Sequence, residues 1–193
     1  MRAFVAIELP AGLRRALGQE ISGLRERLGT SAIRWMSPEA VHLTLKFLGE
    51  IDDRMARSIS GTLDTLCANF ARTDYRIGSL GSFPNANRPR VIWIGVQEAS
   101  GELLRLQAEV ERGAAELGIQ PEERPFHPHL TLGRVKREAS SSEMQTLAQE
   151  LQKLQIGSLG EAALEGVSLM RSELSPTGAV YTRLHYAPLK DKS

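Results

Sequence analysis

The chain has 193 residues, 41% of them apolar and 24% charged, and its 24 basic and 23 acidic residues leave a formal net charge of +1. That is an ordinary globular mixture, and 17 glycines and 9 prolines point to many turns without a low-complexity stretch. The small basic excess argues against a wide nucleic-acid groove, so an RNA ligand is expected to be read over a short piece such as one end.

In chain order, Arg2 to Leu9 reads as a strand stopped by Pro10. Residues 10 to 28 read as a helix, with Leu13, Leu17, Ile21, Leu24 and Leu28 at spacings of three and four. Arg34-Trp35-Met36 is extended and leads into Ser37-Pro38. Val41 to Leu48 alternates, with Val41, Leu43, Leu45 and Phe47 on one face and His42, Thr44 and Lys46 on the other. Gly49 is expected to close this strand. Ile51 to Phe70 reads as a second helix, and Tyr75 to Phe83 as a strand interrupted by glycine.

A loop over residues 84 to 89 precedes a strand from Val91 to Val96 and a helix from Glu98 to Leu117, with Gly118 as its cap. A polar loop, Ile119 to His127, then leads to a strand from His129 to Val135. Ser140 to Leu154 reads as a helix capped by its serines and Glu143. Ile156 to Gly160 is ambiguous. Glu165 to Leu174 and Ala179 to Ala187 form a hairpin, with residues 175 to 178 as its loop. Strands with one-sided alternation, interspersed with helices, predict antiparallel or mixed sheets covered on one face, leaving the other face free for polar chemistry.

The single cysteine, Cys67, permits no internal disulfide and sits in an amphipathic run as a buried small hydrophobe. Met1 to Ile7 is too short for a signal segment, and no stretch is long enough to span a bilayer. These features predict a cytoplasmic protein without a membrane partner.

The chemistry concentrates in one repeated tetrapeptide. His42-Leu43-Thr44-Leu45 and His129-Leu130-Thr131-Leu132 account for two of the chain's four histidines. On a strand, His and Thr at i and i+2 point the same way, and the leucines between them anchor the opposite face. Two imidazoles across a phosphate suit phosphodiester cleavage, one accepting a proton and the other donating one near neutral pH. The threonine hydroxyls are placed to donate to non-bridging oxygens. The plan needs no metal and no cofactor. A competing metal site would use His127, His129 and His42, but no partner carboxylate stands on these strands. His127 reads as a loop residue and His185 as structural.

With those residues in hand, the chain resembles the 2H phosphoesterase superfamily, and within it the bacterial and archaeal RNA 2',3'-cyclic phosphodiesterases, also called 2'-5' RNA ligases. The likeness runs through Met1 to Ile7, Arg34-Trp35, His42 to Gly49, Phe126 to Arg134, and the hairpin from Leu169 to Tyr186. It implies an α+β fold of two lobes over residues 1–190, with two antiparallel sheets lining a central cleft and helices on the outer faces. It also implies hydrolysis of an RNA-terminal 2',3'-cyclic phosphate to a 2'-phosphate; apart from the resemblance, the chain is expected to act as a monomer. The substrates would be RNA ends or nucleotides carrying that group.

By the same resemblance His42 is the general acid, His129 the general base, and Thr44 and Thr131 hold the phosphate. The residues alone leave acid and base unassigned. Arg134 corresponds to a phosphate-contacting arginine, although strict alternation from Thr131 turns it away unless Gly133 supplies a bulge. Phe47 corresponds to an aromatic near the nucleobase, whereas alternation groups it with Leu43 and Leu45, and both readings stand. Arg90 is expected to approach the cleft from its loop. Two other functions remain open at this level: 2'-5' ligation of RNA ends by the same histidines, and a non-catalytic module binding nucleotides or RNA ends.

Overall fold

The computed structural model describes residues 1–175 and 178–191. Pro176 and Thr177, part of the expected hairpin loop, lie outside the described residues. Among the described residues there are four α-helices, α1 (Ala11–Leu28), α2 (Asp53–Cys67), α3 (Glu102–Glu116) and α4 (Ser141–Lys153). The strands are β1 (Arg2–Glu8), β2 (Ile33–Trp35), β3 (His42–Glu50), β4 (Thr73–Phe83), β5 (Val91–Glu98), β6 (His129–Val135), β7 (Ser158–Leu164), β8 (Gly166–Ser175) and β9 (Gly178–Pro188).

The nine strands form one sheet in the order β7-β4-β5-β6-β3-β1-β8-β9, with β2 paired to β6 beside β3. Every pairing between these strands is antiparallel. The two expected sheets are therefore two four-stranded halves of one curled sheet. They meet where Leu43 of β3 pairs with Leu130 of β6. The order is palindromic about that seam, since each half begins with a His-Leu-Thr-Leu strand and runs outward through three more strands.

The apolar face of the sheet carries the helices. Leu13, Leu17, Ile21 and Leu24 of α1, Ile59 and Leu63 of α2, and Leu103, Leu106 and Val110 of α3 share one core with Leu43, Leu45, Leu130 and Leu132. α4 packs Leu147 and Leu151 on a smaller cluster with Ile33, Ile92 and Val135. Asp52 caps α2 by accepting from the Met55 N–H at 2.7 Å. Ser140 and Glu143 form a capping box at the start of α4. Cys67 is fully buried in the main core, and burial pushes its thiol pKa up to about 12.

Several boundaries differ from the periodicity. β5 runs on to Glu98, and α3 starts only at Glu102, because the Glu98 carboxylate accepts from the N–H groups of Ser100 and Leu103 and closes the turn between them. The ambiguous stretch after α4 becomes β7, an edge strand paired with β4. β3 does not stop at Gly49 but continues to Glu50, opposite Arg2.

Lys46 corrects the strict alternation in β3. It lies on the helix side of the sheet, 4% exposed, where its ammonium pairs with Glu111 of α3 and donates to the Gln120 carbonyl at 2.6 Å. Removing one member of a buried pair strands the other charge. Lys46→Met is expected to destabilise the fold by about 3 kcal/mol, and Lys46→Met/Glu111→Leu to recover most of that loss. Chemical denaturation of both variants measures it; a double variant no more stable than the single one contradicts the pairing.

Candidate active site

Leu43 and Leu130 pair in antiparallel register, which sets the row of His42 against Thr131 and the row of Thr44 against His129. The two leucines are buried against the helices, at 1% and 0% exposure. Their histidine and threonine neighbours must then project from the opposite, open face. All four are half-buried there. Neither threonine hydroxyl has a hydrogen-bond partner among the described residues, so both are available to an incoming ligand.

Each motif is followed by the same irregularity. In the β1–β3 ladder, Ala6 pairs with Thr44 and Val5 with Lys46, so Leu45 is the extra residue. In the β5–β6 ladder, Trp93 pairs with Thr131 and Ile92 with Gly133, so Leu132 is the extra residue. A β-bulge of this kind reverses the side-chain phase beyond it. It sends Lys46 to the helix side and turns Phe47 to the open face, where Phe47 is 61% exposed. At the matching place in β6 it turns Arg134 to the open face and Val135 back into the core with α4. Gly133 is required at that bulge, because a Cβ there would lie 2.8 Å from Ile33 and 3.1 Å from the Trp35 ring.

The imidazoles are oriented by the backbone. His42 Nδ1 lies 2.9 Å from the Ala40 carbonyl, and His129 Nδ1 lies 2.6 Å from the His127 carbonyl. A carbonyl only accepts, so each Nδ1 carries hydrogen and each neutral ring offers its Nε2 lone pair. Both histidines use the carbonyl two residues upstream, a second element of internal symmetry.

Aromatic rings hold the imidazoles from the side. Phe4 stacks on His42 with centroids 4.6 Å apart, and Tyr181 meets the same ring edge-on at 5.0 Å. On the other half, Phe83 meets His129 edge-on at 4.9 Å, and Trp93 stands behind at 6.1 Å. Trp93 fits only because Gly81 has no side chain: a Cβ there would come within 2.2 Å of the indole.

These walls set the electrostatics. Burial pushes the His42 pKa down to about 4, against the raising effects of its carbonyl bond and of Glu8. Burial also lowers the His129 pKa, against its carbonyl bond, and Arg134 and His127 lower it further. Both rings are therefore neutral at pH 7 in the unliganded protein. Their charged neighbours differ in sign: Glu8 pairs directly with His42 across β1–β3, whereas Arg134 acts on His129. Glu8 is itself held by the Ser168 hydroxyl at 2.6 Å and Arg183 at 3.2 Å.

The remaining sequence-derived residues fall as follows. Arg134 is exposed, and its charge also reaches Tyr181. Arg90 does not reach the cleft. Val91 pairs with Arg134 on the open face, so Arg90 falls on the opposite face and lines a groove against α4 with Gln145 and Gln149. His127 supplies the carbonyl under His129 rather than a ligand. His185 makes a 2.7 Å contact with Asp64 of α2, away from the cleft. Among the described residues, no group of three or more His, Cys, Asp or Glu side chains is placed to hold a metal ion, so His42, His127 and His129 do not form the competing metal site. No helix is long and apolar enough to cross a membrane.

Reading by motif missed Phe4, Phe83, Trp93, Tyr181 and Glu8. Alternation in β1 places Phe4 and Glu8 on one face, but only the pairing of β1 with β3 shows that this face is the one His42 occupies.

A family model described as the 2'-5' RNA ligase superfamily matches residues 13–174. The chain is 33% identical over 184 residues to an RNA 2',3'-cyclic phosphodiesterase of Methanothermobacter thermautotrophicus, covering 94% of this chain and 95% of that one. It is 32% identical to an RNA 2',3'-cyclic phosphodiesterase of Aeropyrum pernix, covering 86% and 92%. The crystal structure of TT0787 of Thermus thermophilus superposes with a TM-score of 0.81 at 32% identity, covering all of both chains. E. coli LigT complexed with 3'-AMP superposes with a TM-score of 0.74 at 26% identity, covering 97% of each. With a match over most of its length and both histidine strands in one cleft, the chain belongs to the 2'-5' RNA ligase superfamily, within the RNA 2',3'-cyclic phosphodiesterase family of 2H phosphoesterases.

Proposed function

We propose that this protein hydrolyses the 2',3'-cyclic phosphate at an RNA end to a 2'-phosphomonoester, without a metal ion. One observation carries the reading: two imidazoles with Nδ1 tied to carbonyls and two unengaged threonine hydroxyls share one open face. The activity named for the relatives fits that geometry. Water attacks phosphorus opposite the 3'-oxygen. His129 Nε2 takes the proton from water, and His42 Nε2 gives one to the departing 3'-oxygen. Thr44, Thr131 and Arg134 steady the charge on the non-bridging oxygens, and Phe47 offers a ring to the base.

Burial is the larger influence on both rings and favours the neutral form of each; only the smaller influence of the charged neighbours follows the assigned roles, Glu8 raising the His42 pKa and Arg134 lowering that of His129. The bound phosphate anion raises the His42 pKa further, and the ring takes its second proton from solvent. All of these side chains belong to a single polypeptide, so the site needs no second copy. We read residues 1–190 as one domain of two lobes, acting as a cytoplasmic monomer.

Turnover of a 2',3'-cyclic nucleotide in excess EDTA, with a 2'-phosphate product, is the expected result. His42→Ala and His129→Ala should each lower kcat by about 10² to 10⁴. A 3'-phosphate product, or either variant retaining full turnover, overturns the mechanism.

The pH profile follows from burial of the rings. Both pKa values lie below the ordinary histidine range, and the reactive form carries one proton between the two rings. Raising the pH through neutrality therefore depletes that form, and kcat/KM should fall about tenfold per unit on this limb. The bound anion raises the pKa of its acid, so the corresponding fall in kcat should lie at higher pH. Initial rates from pH 5 to 9 measure both; a kcat/KM that rises from pH 6 to 8 contradicts the mechanism.

A further inference from the structure

β2 adds a second arginine to the open face. Arg34 pairs with Arg134 in the antiparallel β2–β6 ladder, so the two side chains project from the same side of the sheet. Both are exposed, and neither makes an ion pair among the described residues. Like charges directly opposed across strands destabilise a sheet, and an anion bound between them removes that cost.

Position says which anion. β2 and β3 flank the same edge of β6, β3 at Leu130 and β2 from Gly133 to Val135. With the bulge at Leu132 discounted, the row of Arg134 and Arg34 lies two residue steps beyond the row of Thr131 and His42. That is about 7 Å along the strand. Within that row Arg134 reaches back along β6 to the phosphate held at the histidines and threonines, which leaves Arg34, on β2, for a second anion. The next phosphate along a nucleotide chain is within reach of Arg34.

We propose that Arg34, beside Arg134, forms a subsite for the phosphate on the 5' side of the terminal nucleotide, and that it makes the enzyme prefer an RNA end over a free cyclic mononucleotide. This inference rests on the functional reading above and extends it to the substrate class. The same chemistry accepts either an internucleotide phosphodiester or a 5'-monophosphate.

The test compares three substrates: 2',3'-cyclic AMP, the same nucleotide with a 5'-phosphate, and an adenylyl dinucleotide ending in a 2',3'-cyclic phosphate. Arg34→Gln should raise KM for the dinucleotide about tenfold and leave 2',3'-cyclic AMP within about twofold, as expected for loss of one charge-assisted contact. Arg34→Lys should restore part of the loss. The salt dependence of log(1/KM) for the dinucleotide should become shallower by about 0.7, the value of one phosphate contact on a single strand. If the 5'-phosphorylated mononucleotide shows the same loss, the subsite reads a phosphate of either source. If only the dinucleotide shows it, the subsite reads the internucleotide linkage. Wild-type protein active on all three, with Arg34→Gln impaired equally on all or on none, overturns the subsite alone. Wild-type protein inert on all three overturns the functional reading as well.

Discussion

Leu43 and Leu130 face each other where β3 meets β6, and the site depends on that pairing. It joins the two halves of the sheet. It also fixes the phase of both strands: with these leucines held on the helix side at 1% and 0% exposure, His42, Thr44, His129 and Thr131 have only the open face left. A slip of one residue in either strand would bury one histidine–threonine pair among the helices and break the constellation. The apolar core beneath α1, α2 and α3 thus positions the polar residues above it, since no hydrogen bond between the four side chains does so.

The scaffold is nearly symmetric, and its departures from symmetry carry the chemistry. Both motifs end in a bulge at the second leucine, and both histidines rest on the carbonyl two residues upstream. The bulges then deliver different side chains to the open face, Phe47 in one half and Arg134 in the other. Opposite the histidines stand Glu8 in one half and Gly95 in the other. A shared frame thereby gives two similar imidazoles different charged neighbours, which is what a reaction with one proton donor and one acceptor requires.

Much of this was legible in the chain. The repeated tetrapeptide identifies the strands, their alternation separates His and Thr from Leu, and helical periodicity finds α1 and α4 within a residue or so. Local pattern fails where pairing decides. Lys46 reads as a cleft residue and Phe47 as a core residue until the extra residue at Leu45 reverses both. Arg90 has the right charge and the wrong phase, which only its position one step before Val91 in the β5–β6 register reveals. The aromatic walls come from β1, β4, β5 and β9, far apart in sequence, and no local spacing announces that Phe4 and Tyr181 meet at His42.

The mechanism rests on a fold that presents two neutral imidazoles, each with Nδ1 protonated and Nε2 free toward the cleft. Nitrogen-15 NMR of the histidine rings in the ligand-free protein at pH 7 reads this directly. His42 and His129 should both show a protonated Nδ1 and an unprotonated Nε2, with His42 still neutral at pH 5.5. Either ring carrying its hydrogen on Nε2, or His42 already an imidazolium at pH 7, would contradict it.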